Sequence, residues 1–174
     1  IQIDFDGSVQ DYIRQEKISH IYIKEFDLEP LLFKKVERLS GGELQRLAIA
    51  HALSRDADIY LLDEPSAFLD VEQRMRIANV ISRDISNKEK VAFIVDHDIV
   101  FIDTVSNRLI NFTGDPSIHG DASEPLEKHN AMNLFLKGLD ITLRRDQDTF
   151  RPKINKPNSV LDREQREKGN YYSY

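Results

Sequence analysis

The 174-residue chain contains no cysteine and no tryptophan. Without cysteine it can form neither a disulfide framework nor a thiolate metal site, which suits a reducing cytosol and predicts a cytoplasmic location. No apolar stretch approaches the roughly 20 residues that span a bilayer as a helix, so we predict no membrane partner. The first residue is isoleucine, and we expect the chain to begin at a truncation rather than at a natural start.

A second absence concerns nucleotide binding, because the sequence contains no Gly-x-x-x-x-Gly-Lys-Ser/Thr phosphate loop.

Positive charge is also scarce: 30 acidic residues outnumber 24 lysines and arginines and leave a net charge of −6. This balance argues against a chain that binds nucleic acid or a membrane over its whole surface, although it permits a local basic patch. The 40% hydrophobic and 31% charged residues are typical of a globular domain.

A glycine pair stands at the start of a predicted helix. The segment Ser40-Gly41-Gly42 leads into residues 42–54, whose apolar side chains recur at helical spacing. Two glycines let backbone N–H groups approach a phosphate closely, and the helix dipole at that end favours negative charge. A Ser-Gly-Gly sequence by itself is more often an ordinary capped turn. Leu39 before it and Glu43 after it favour a phosphate-binding loop.

An acidic pair follows a short apolar run. Residues 59–62 predict a strand buried on both faces of a parallel sheet, and Asp63 and Glu64 come directly after them. A carboxylate at that end of a strand points into the crevice where α/β proteins bind ligands, so Asp63 can hold Mg²⁺ there through water. Glu64 points in another direction and can accept a proton from an attacking water. An Asp-Glu pair before a proline also fits a simple strand cap or turn.

His97 follows a second apolar run, residues 91–95, which we also predict to be a buried strand. Parallel strands end at the same edge of a sheet, so we expect His97 to lie near Asp63. An imidazole at that place can hydrogen-bond a γ-phosphate and hold the glutamate that positions the water. A lone histidine at a strand end is more often structural, and the other four histidines lack such a context.

The remaining pattern alternates helices and strands. We predict helices over residues 9–16, 71–85 and 99–105 and a further strand over residues 108–112. With the two strands above, this order favours a doubly wound α/β unit with right-handed crossovers. Asp70 is the predicted N-cap of the helix that follows it. Beyond the unit we expect a loop over residues 114–125, a helix over 127–137 and an extended, docked tail from residue 140 onward.

Taken together, the motifs resemble an ATP-binding-cassette (ABC) ATPase. Residues 39–43, Leu-Ser-Gly-Gly-Glu, are similar to its signature loop, and residues 59–65, Ile-Tyr-Leu-Leu-Asp-Glu-Pro, to its Walker B strand. Residues 66–70, Ser-Ala-Phe-Leu-Asp, and 95–98, Val-Asp-His-Asp, resemble its interface loop and its switch histidine. Four segments of the tail narrow the resemblance to the second nucleotide-binding domain of the ABC-E ribosome-recycling ATPase, or RNase L inhibitor, family: residues 142–146, 151–156, 162–165 and 169–172. Residues 56–58 and 70–74 resemble its archaeal members.

The resemblance implies the C-terminal part of an ABC-type P-loop ATPase domain with an α/β fold. Residues 1–55 would then belong to the helical signature subdomain and residues 56–138 to the α/β portion. Residues 139–174 would form a hinge-like tail.

The resemblance also assigns roles to the candidate residues. In this family two such domains face each other and sandwich two ATP molecules. Asp63 would serve the Mg²⁺ of the ATP held by its own domain, and Glu64 and His97 would be the catalytic residues there. The other candidates would bind the nucleotide across the interface, namely Ser40, Gly41, Gly42, Glu43 and Asp70.

By the same resemblance the cofactors are ATP and Mg²⁺, and iron–sulfur clusters are expected only in a separate N-terminal domain. The implied partners are the first nucleotide-binding domain of the same protein, the small ribosomal subunit with its RNA, and release-factor-like proteins. The implied function couples ATP binding and hydrolysis to ribosome splitting, recycling and translation initiation. The chain alone is predicted to be inactive, because it lacks the phosphate loop and its lysine.

Two alternatives remain open. The ATPase subunit of an ABC transporter would share the motifs, but it would need a membrane partner and gives no reason for the basic tail. A regulator that binds nucleic acid or protein without turnover would not need Glu64 and His97. Residues 144–156 carry five basic and two acidic residues, so this segment is either a phosphate contact for RNA or a solvated charged stretch.

Overall fold

The computed structural model describes residues 3–115, 117–146 and 152–173. The chain divides into two compact units, Ile1–Val105 and Ser106–Tyr174. The first unit carries the predicted nucleotide motifs, and the second carries the basic tail. The functional division at residues 55 and 138 stays a prediction, since it concerns roles within a larger protein.

The first unit begins with three helices, α1 (Val9–Gln15), α2 (His20–Glu25) and α3 (Gly41–Ser54). Each has a serine directly before it, and two of these serines accept a hydrogen bond from the backbone three residues on, which satisfies a free N–H of the first turn. Ser8 and Asp11 form such a capping box at α1. The helices predicted over residues 9–16 and 42–54 are therefore confirmed.

An α/β segment follows, with β1 (Ile59–Asp63), α4 (Val71–Asn87), β2 (Val91–Val95) and α5 (Ile99–Val105). The two strands pair in parallel, with Asp63 opposite Val95, so their carboxyl ends lie side by side. Helix α4 makes the crossover between them. All four elements confirm the predicted ones, because their apolar runs and caps are local features of the sequence.

The burial of these strands differs from the prediction. On one face Leu62 and Ile94 pack against the core, which is built from residues of α1 to α5 and of the segments between them. The other face is exposed, with Leu61 at 76%. It consists of Ile59, Leu61, Val91, Phe93 and Val95. The prediction that both faces are buried is wrong for this chain. A continuous apolar run indicates that both faces of a strand are suited to burial, but it does not say which elements cover them.

The second unit starts with four short strands and a helix: β3 (Arg108–Leu109), β4 (Phe112–Asp115), β5 (His119–Ala122), β6 (Leu126–Glu127) and α6 (Lys128–Gly138). Strand β3 pairs antiparallel with β6, and β4 with β5. The predicted third strand is therefore split and does not join the parallel sheet. The predicted loop over residues 114–125 contains a hairpin instead. Helix α6 confirms the helix predicted over 127–137.

Gly114 makes the hairpin possible. Its φ is +143°, and a Cβ at this residue would stand 2.2 Å from the carbonyl oxygen of His119 on the paired strand. No L side chain fits there. The first residue of the predicted loop is thus a glycine that the pairing of β4 with β5 requires.

The tail also folds, contrary to the predicted extended segment. It contains β7 (Leu143–Arg145), β8 (Pro152–Ile154), α7 (Val160–Glu167) and β9 (Tyr172–Ser173), and the three strands form a sheet with β7 in the centre. A buried polar network supports it: Thr142 donates to Asp162 at 2.6 Å, and Asn155 donates to Thr142 at 3.0 Å. Hydrophobic periodicity gives no signal for this network, because its members are polar.

Among the described residues, no helix is both long and apolar enough to cross a bilayer.

Candidate nucleotide site

The N-terminus of α3 is held in a fixed shape by Ser40 and Glu43. The Ser40 hydroxyl accepts from the Glu43 N–H at 3.4 Å, and the Glu43 carboxylate accepts from the Ser40 N–H at 2.7 Å and from Lys34 Nζ at 2.6 Å. Burial raises the pKa of Glu43, but the hydrogen bonds from Lys34 and Ser40 outweigh it, so the pKa is lowered. Glu43 therefore stays ionised and shapes this loop from within the chain.

Gly41 and Gly42 occupy the first two positions of the same helix. An α-helix leaves these N–H groups without a partner in the helix, and together with the helix dipole they suit an anion such as a phosphate. The structure adds a second reason for glycine. A Cβ on Gly42 would stand 2.7 Å from the carbonyl oxygen of Phe68, and a Cβ on Gly41 3.0 Å from the Phe68 ring. The interface loop thus packs directly on the signature glycines.

Asp63 and Glu64 lie at the carboxyl end of β1, both exposed. Glu64 has a φ of +45°, a left-handed conformation that is unfavourable for a side-chain-bearing residue and is often found at functional sites. Its N–H donates to the Val95 carbonyl at 2.7 Å, and its own carbonyl accepts from the Ala67 N–H at 3.0 Å. These bonds keep the residue in its turn.

The structure brings His97 and Glu64 together, as the sequence predicts. His97 Nδ1 lies 3.7 Å from Glu64 Oε1, slightly beyond hydrogen-bond distance. Both side chains are more than half exposed, at 77% and 56%. They therefore face an open edge that a ligand can reach.

Asp96 organises the loop that carries His97. Its carboxylate accepts from both the N–H and the hydroxyl of Ser66, and also from the N–H of Asp98. Asp98 in turn accepts from the Phe101 N–H at the start of α5 and pairs with Arg74 at 2.6 Å. The sequence alone gave Asp96 no role.

Asp70 caps α4, because its carboxylate accepts from the Gln73 N–H at 2.8 Å. The predicted capping role is confirmed, whereas its role towards a nucleotide stays a prediction.

Asp63 suits a magnesium ion of the kind that accompanies ATP. Mg²⁺ in nucleotide sites is usually held by one or two carboxylates, several waters and the phosphates themselves. A single exposed carboxylate at a strand end fits this pattern. In the described part of the chain, no cluster of three or more His, Asp or Glu side chains could hold a metal by itself.

Gln45 is a site residue that the sequence analysis missed. It lies on α3 with 4% of its surface exposed and donates from Nε2 to the carbonyl oxygen of Glu64 at 3.0 Å. Its neighbour Arg46 is buried as well and donates to the Phe26 and Asp27 carbonyls. Gln45 and Arg46 are adjacent polar residues in the first half of an otherwise largely apolar helix, and this pattern could have indicated that their side chains bond to neighbouring loops.

The basic tail is partly engaged within the chain. Arg144 donates to Asn155 at 3.1 Å, and Lys153 stands 3.9 Å from the Asp146 carboxylate. Lys156 is exposed. Arg151, which also belongs to the predicted phosphate-contacting segment, lies outside the described residues.

Known proteins are similar to this chain over most of its length. The family model described as ABC transporter matches residues 5–67. An uncharacterised ABC transporter ATP-binding protein of Methanocaldococcus jannaschii is 52% identical over 97% of the chain and 29% of its own length. Translation initiation factor RLI1 of Chaetomium thermophilum is 49% identical over 86% of the chain and 24% of its own length.

A solved structure extends the likeness to the backbone. The archaeal ribosome recycling factor aABCE1, crystallised with the archaeal ribosomal stalk protein aP1, is 47% identical and superposes with a TM-score of 0.90. The superposition covers 99% of this chain and 35% of that one. The chain thus spans about a quarter to a third of the length of the relatives that it matches.

The signature helix, the Walker B strand and the histidine beside its glutamate define a part of an ABC ATPase domain with an α/β fold. The similarity covers the tail as well as the motifs. The chain belongs to the ABC-E, or RNase L inhibitor, family and corresponds to part of its C-terminal ABC domain.

Proposed function

We propose that the protein to which this chain belongs is an ATP hydrolase, and that the chain contributes to both of its nucleotide sites. The observation that supports this most strongly is the approach of His97 to Glu64, 3.7 Å apart at the edge where Asp63 ends its strand. A base, a positioning imidazole and a metal-binding carboxylate at one open edge are the groups that phosphoryl transfer to water requires.

Glu64 acts as the general base in this proposal. Its carboxylate accepts the proton of the attacking water, and the left-handed turn holds the residue at the end of β1. His97 turns Nδ1 towards this carboxylate and leaves the opposite edge of its ring for the phosphate. Mg²⁺ bound through Asp63 would neutralise charge on the phosphates. Ser40, with the glycine N–H groups beside it, would bind the phosphate held by the facing domain.

We further propose that ATP binding and hydrolysis drive ribosome recycling and support translation initiation. The relatives carry these descriptions in their names, as a ribosome recycling factor and a translation initiation factor. The partners in this proposal are the first nucleotide-binding domain of the same protein, the small ribosomal subunit and release-factor-like proteins, in the cytoplasm. Exposed lysines of the tail would contact ribosomal RNA.

The experiment is Glu64→Gln in the full-length protein. The variant is expected to bind ATP with the affinity of the wild type and to hydrolyse it about 10²–10⁴-fold more slowly, because a positioned base is lost. Glu72→Gln, an exposed glutamate on α4, is the matched control and should hydrolyse ATP at the wild-type rate. Hydrolysis at the wild-type rate in Glu64→Gln would refute the assignment and favour a binding regulator without turnover.

A further inference from the structure

A single buried side chain joins the two candidate nucleotide positions of the first unit. Gln45 lies two residues after Glu43 on α3, the helix whose N-terminus carries Ser40 and the glycine pair. From there its Nε2 atom donates to the carbonyl oxygen of Glu64 at 3.0 Å. The side chain is buried, with 4% of its surface exposed.

The hydrogen bond from Gln45 stabilises an unfavourable backbone conformation at Glu64. Glu64 has a φ of +45°, and surrounding contacts must maintain such a conformation in a residue other than glycine. Three hydrogen bonds do so: its N–H donates to Val95, and its carbonyl accepts from the Ala67 N–H and from Gln45. The partners from Val95 and Ala67 are backbone groups, whereas Gln45 contributes a side-chain atom.

We infer that Gln45 is a positioning residue for the hydrolytic step and couples the signature helix to the general base. By fixing the Glu64 peptide, it sets the direction in which the carboxylate meets His97. Because Gln45 is part of α3, a displacement of that helix when its N-terminus engages a nucleotide moves the Glu64 carbonyl as well. Nucleotide binding at the N-terminus of α3 thereby changes the position of Glu64, the general base of the other nucleotide site. This inference rests on the proposed ATPase function.

A purely structural role makes a different prediction. A buried glutamine that only satisfies a carbonyl would lower stability when removed and leave the chemical step unchanged. The chain contains a matched case in the second unit. Gln165 donates from Nε2 to the Leu143 and Asn170 carbonyls, at 3.1 and 3.0 Å. It makes the same kind of bond in a unit whose sequence carries none of the nucleotide motifs.

The experiment compares Gln45→Met and Gln165→Met in the full-length protein. Methionine keeps the volume of glutamine and removes the donor. Gln45→Met is expected to lower kcat about 10- to 100-fold through misplacement of the base, with the KM for ATP nearly unchanged. Gln165→Met should lower the melting temperature and leave kcat at the wild-type value.

A double-mutant cycle shows whether Gln45 acts through Glu64. Single-turnover hydrolysis is measured for Gln45→Met, Glu64→Gln and the two changes combined. If Gln45 acts only by placing the base, the double variant is no slower than Glu64→Gln alone. A wild-type kcat in Gln45→Met, or losses that multiply, would overturn the inference. Wild-type hydrolysis in Glu64→Gln would instead overturn the proposed function itself.

If Gln45→Met does not fold, Gln45→Glu provides the test. A protonated carboxyl can still donate to the Glu64 carbonyl, whereas an ionised one cannot, and burial raises the pKa of such a group. The ratio of its kcat to that of the wild type should therefore rise as the pH falls. A ratio that stays constant with pH would contradict the inference.

Discussion

The carboxylate of Asp96 binds both polar groups of Ser66, the N–H at 3.0 Å and the hydroxyl at 2.8 Å. Ser66 follows β1 and is 1% exposed, and Asp96 follows β2 directly before His97. The pair therefore ties the two loops that carry Glu64 and His97. A parallel pair of strands aligns these loops only approximately, and this bidentate contact fixes their separation.

Removing the hydroxyl in Ser66→Ala should destabilise the chain. A hydrogen bond to an ionised group contributes about 1.5–3 kcal/mol, so we expect a loss of this size in the free energy of unfolding. Urea unfolding of the chain measures it. Ser86→Ala, at an exposed position of α4, is the control and should change stability by less than about 0.5 kcal/mol. Equal stability in the two variants would show that the link is unimportant.

The chain by itself should not bind ATP. It contains the candidate residues for hydrolysis and those that would bind the nucleotide held by the facing domain. It contains no phosphate loop and no lysine of such a loop. Isothermal calorimetry of the chain with ATP and Mg²⁺ is expected to show no binding at micromolar concentrations, whereas the full-length protein should bind. Binding of ATP by the isolated chain at micromolar concentrations would contradict this prediction.

His51 should make stability depend on pH. It contacts the Tyr12 hydroxyl through Nδ1 at 2.5 Å and accepts from Arg55 at Nε2. Burial, followed by the charge of Arg55, lowers the pKa of His51 below its ordinary value of 6.5, against the opposing effect of Glu16. Below pH 6.5 the unfolded chain therefore takes up a proton that the folded chain resists, and stability falls with the pH.

Melting temperatures measured from neutral to mildly acidic pH test this effect. His51→Gln should show a smaller decrease than the wild type between pH 6.5 and the lowered folded pKa. His20→Gln, an exposed histidine on α2, serves as the control and should follow the wild type. The same decrease in all three proteins would mean that other groups cause the pH dependence.

An experiment on the basic tail can distinguish a ribosome-bound ATPase from the ATPase subunit of a transporter. Arg144 supports the buried network through Asn155, so its loss would confuse folding with binding. Lys153 and Lys156 are exposed, and Lys153→Gln with Lys156→Gln is the cleaner change. This double variant of the full-length protein should bind the small ribosomal subunit more weakly, and the difference from the wild type should shrink as salt rises.

Two exposed lysines elsewhere give the control for this experiment. Lys24→Gln with Lys137→Gln changes the net charge by the same amount on α2 and α6. It should bind ribosomal subunits like the wild type. If the tail variant also binds like the wild type at every salt concentration, the tail is a solvated charged surface and not an RNA contact.

The sequence alone determined the features that depend on neighbouring residues. The start of α3 follows from Ser40 and Glu43, and the cap of α4 from Asp70, because a capping side chain reaches only two or three residues along the chain. The strand ends at Asp63 and before His97 follow from apolar runs. Since parallel strands end at one edge, even the meeting of Glu64 and His97 could be predicted.

Tertiary structure alone decided what covers each surface and which distant groups share hydrogen bonds. Which face of β1 is covered and how the tail folds depend on residues far away in sequence, and the hairpin at Gly114 depends on pairing across its own turn; hydrophobic periodicity gives no signal for any of the three. The bond from Gln45 to Glu64 spans 19 residues and rests on a left-handed backbone that no local preference favours. Such a conformation forms only where packing and several hydrogen bonds maintain it together.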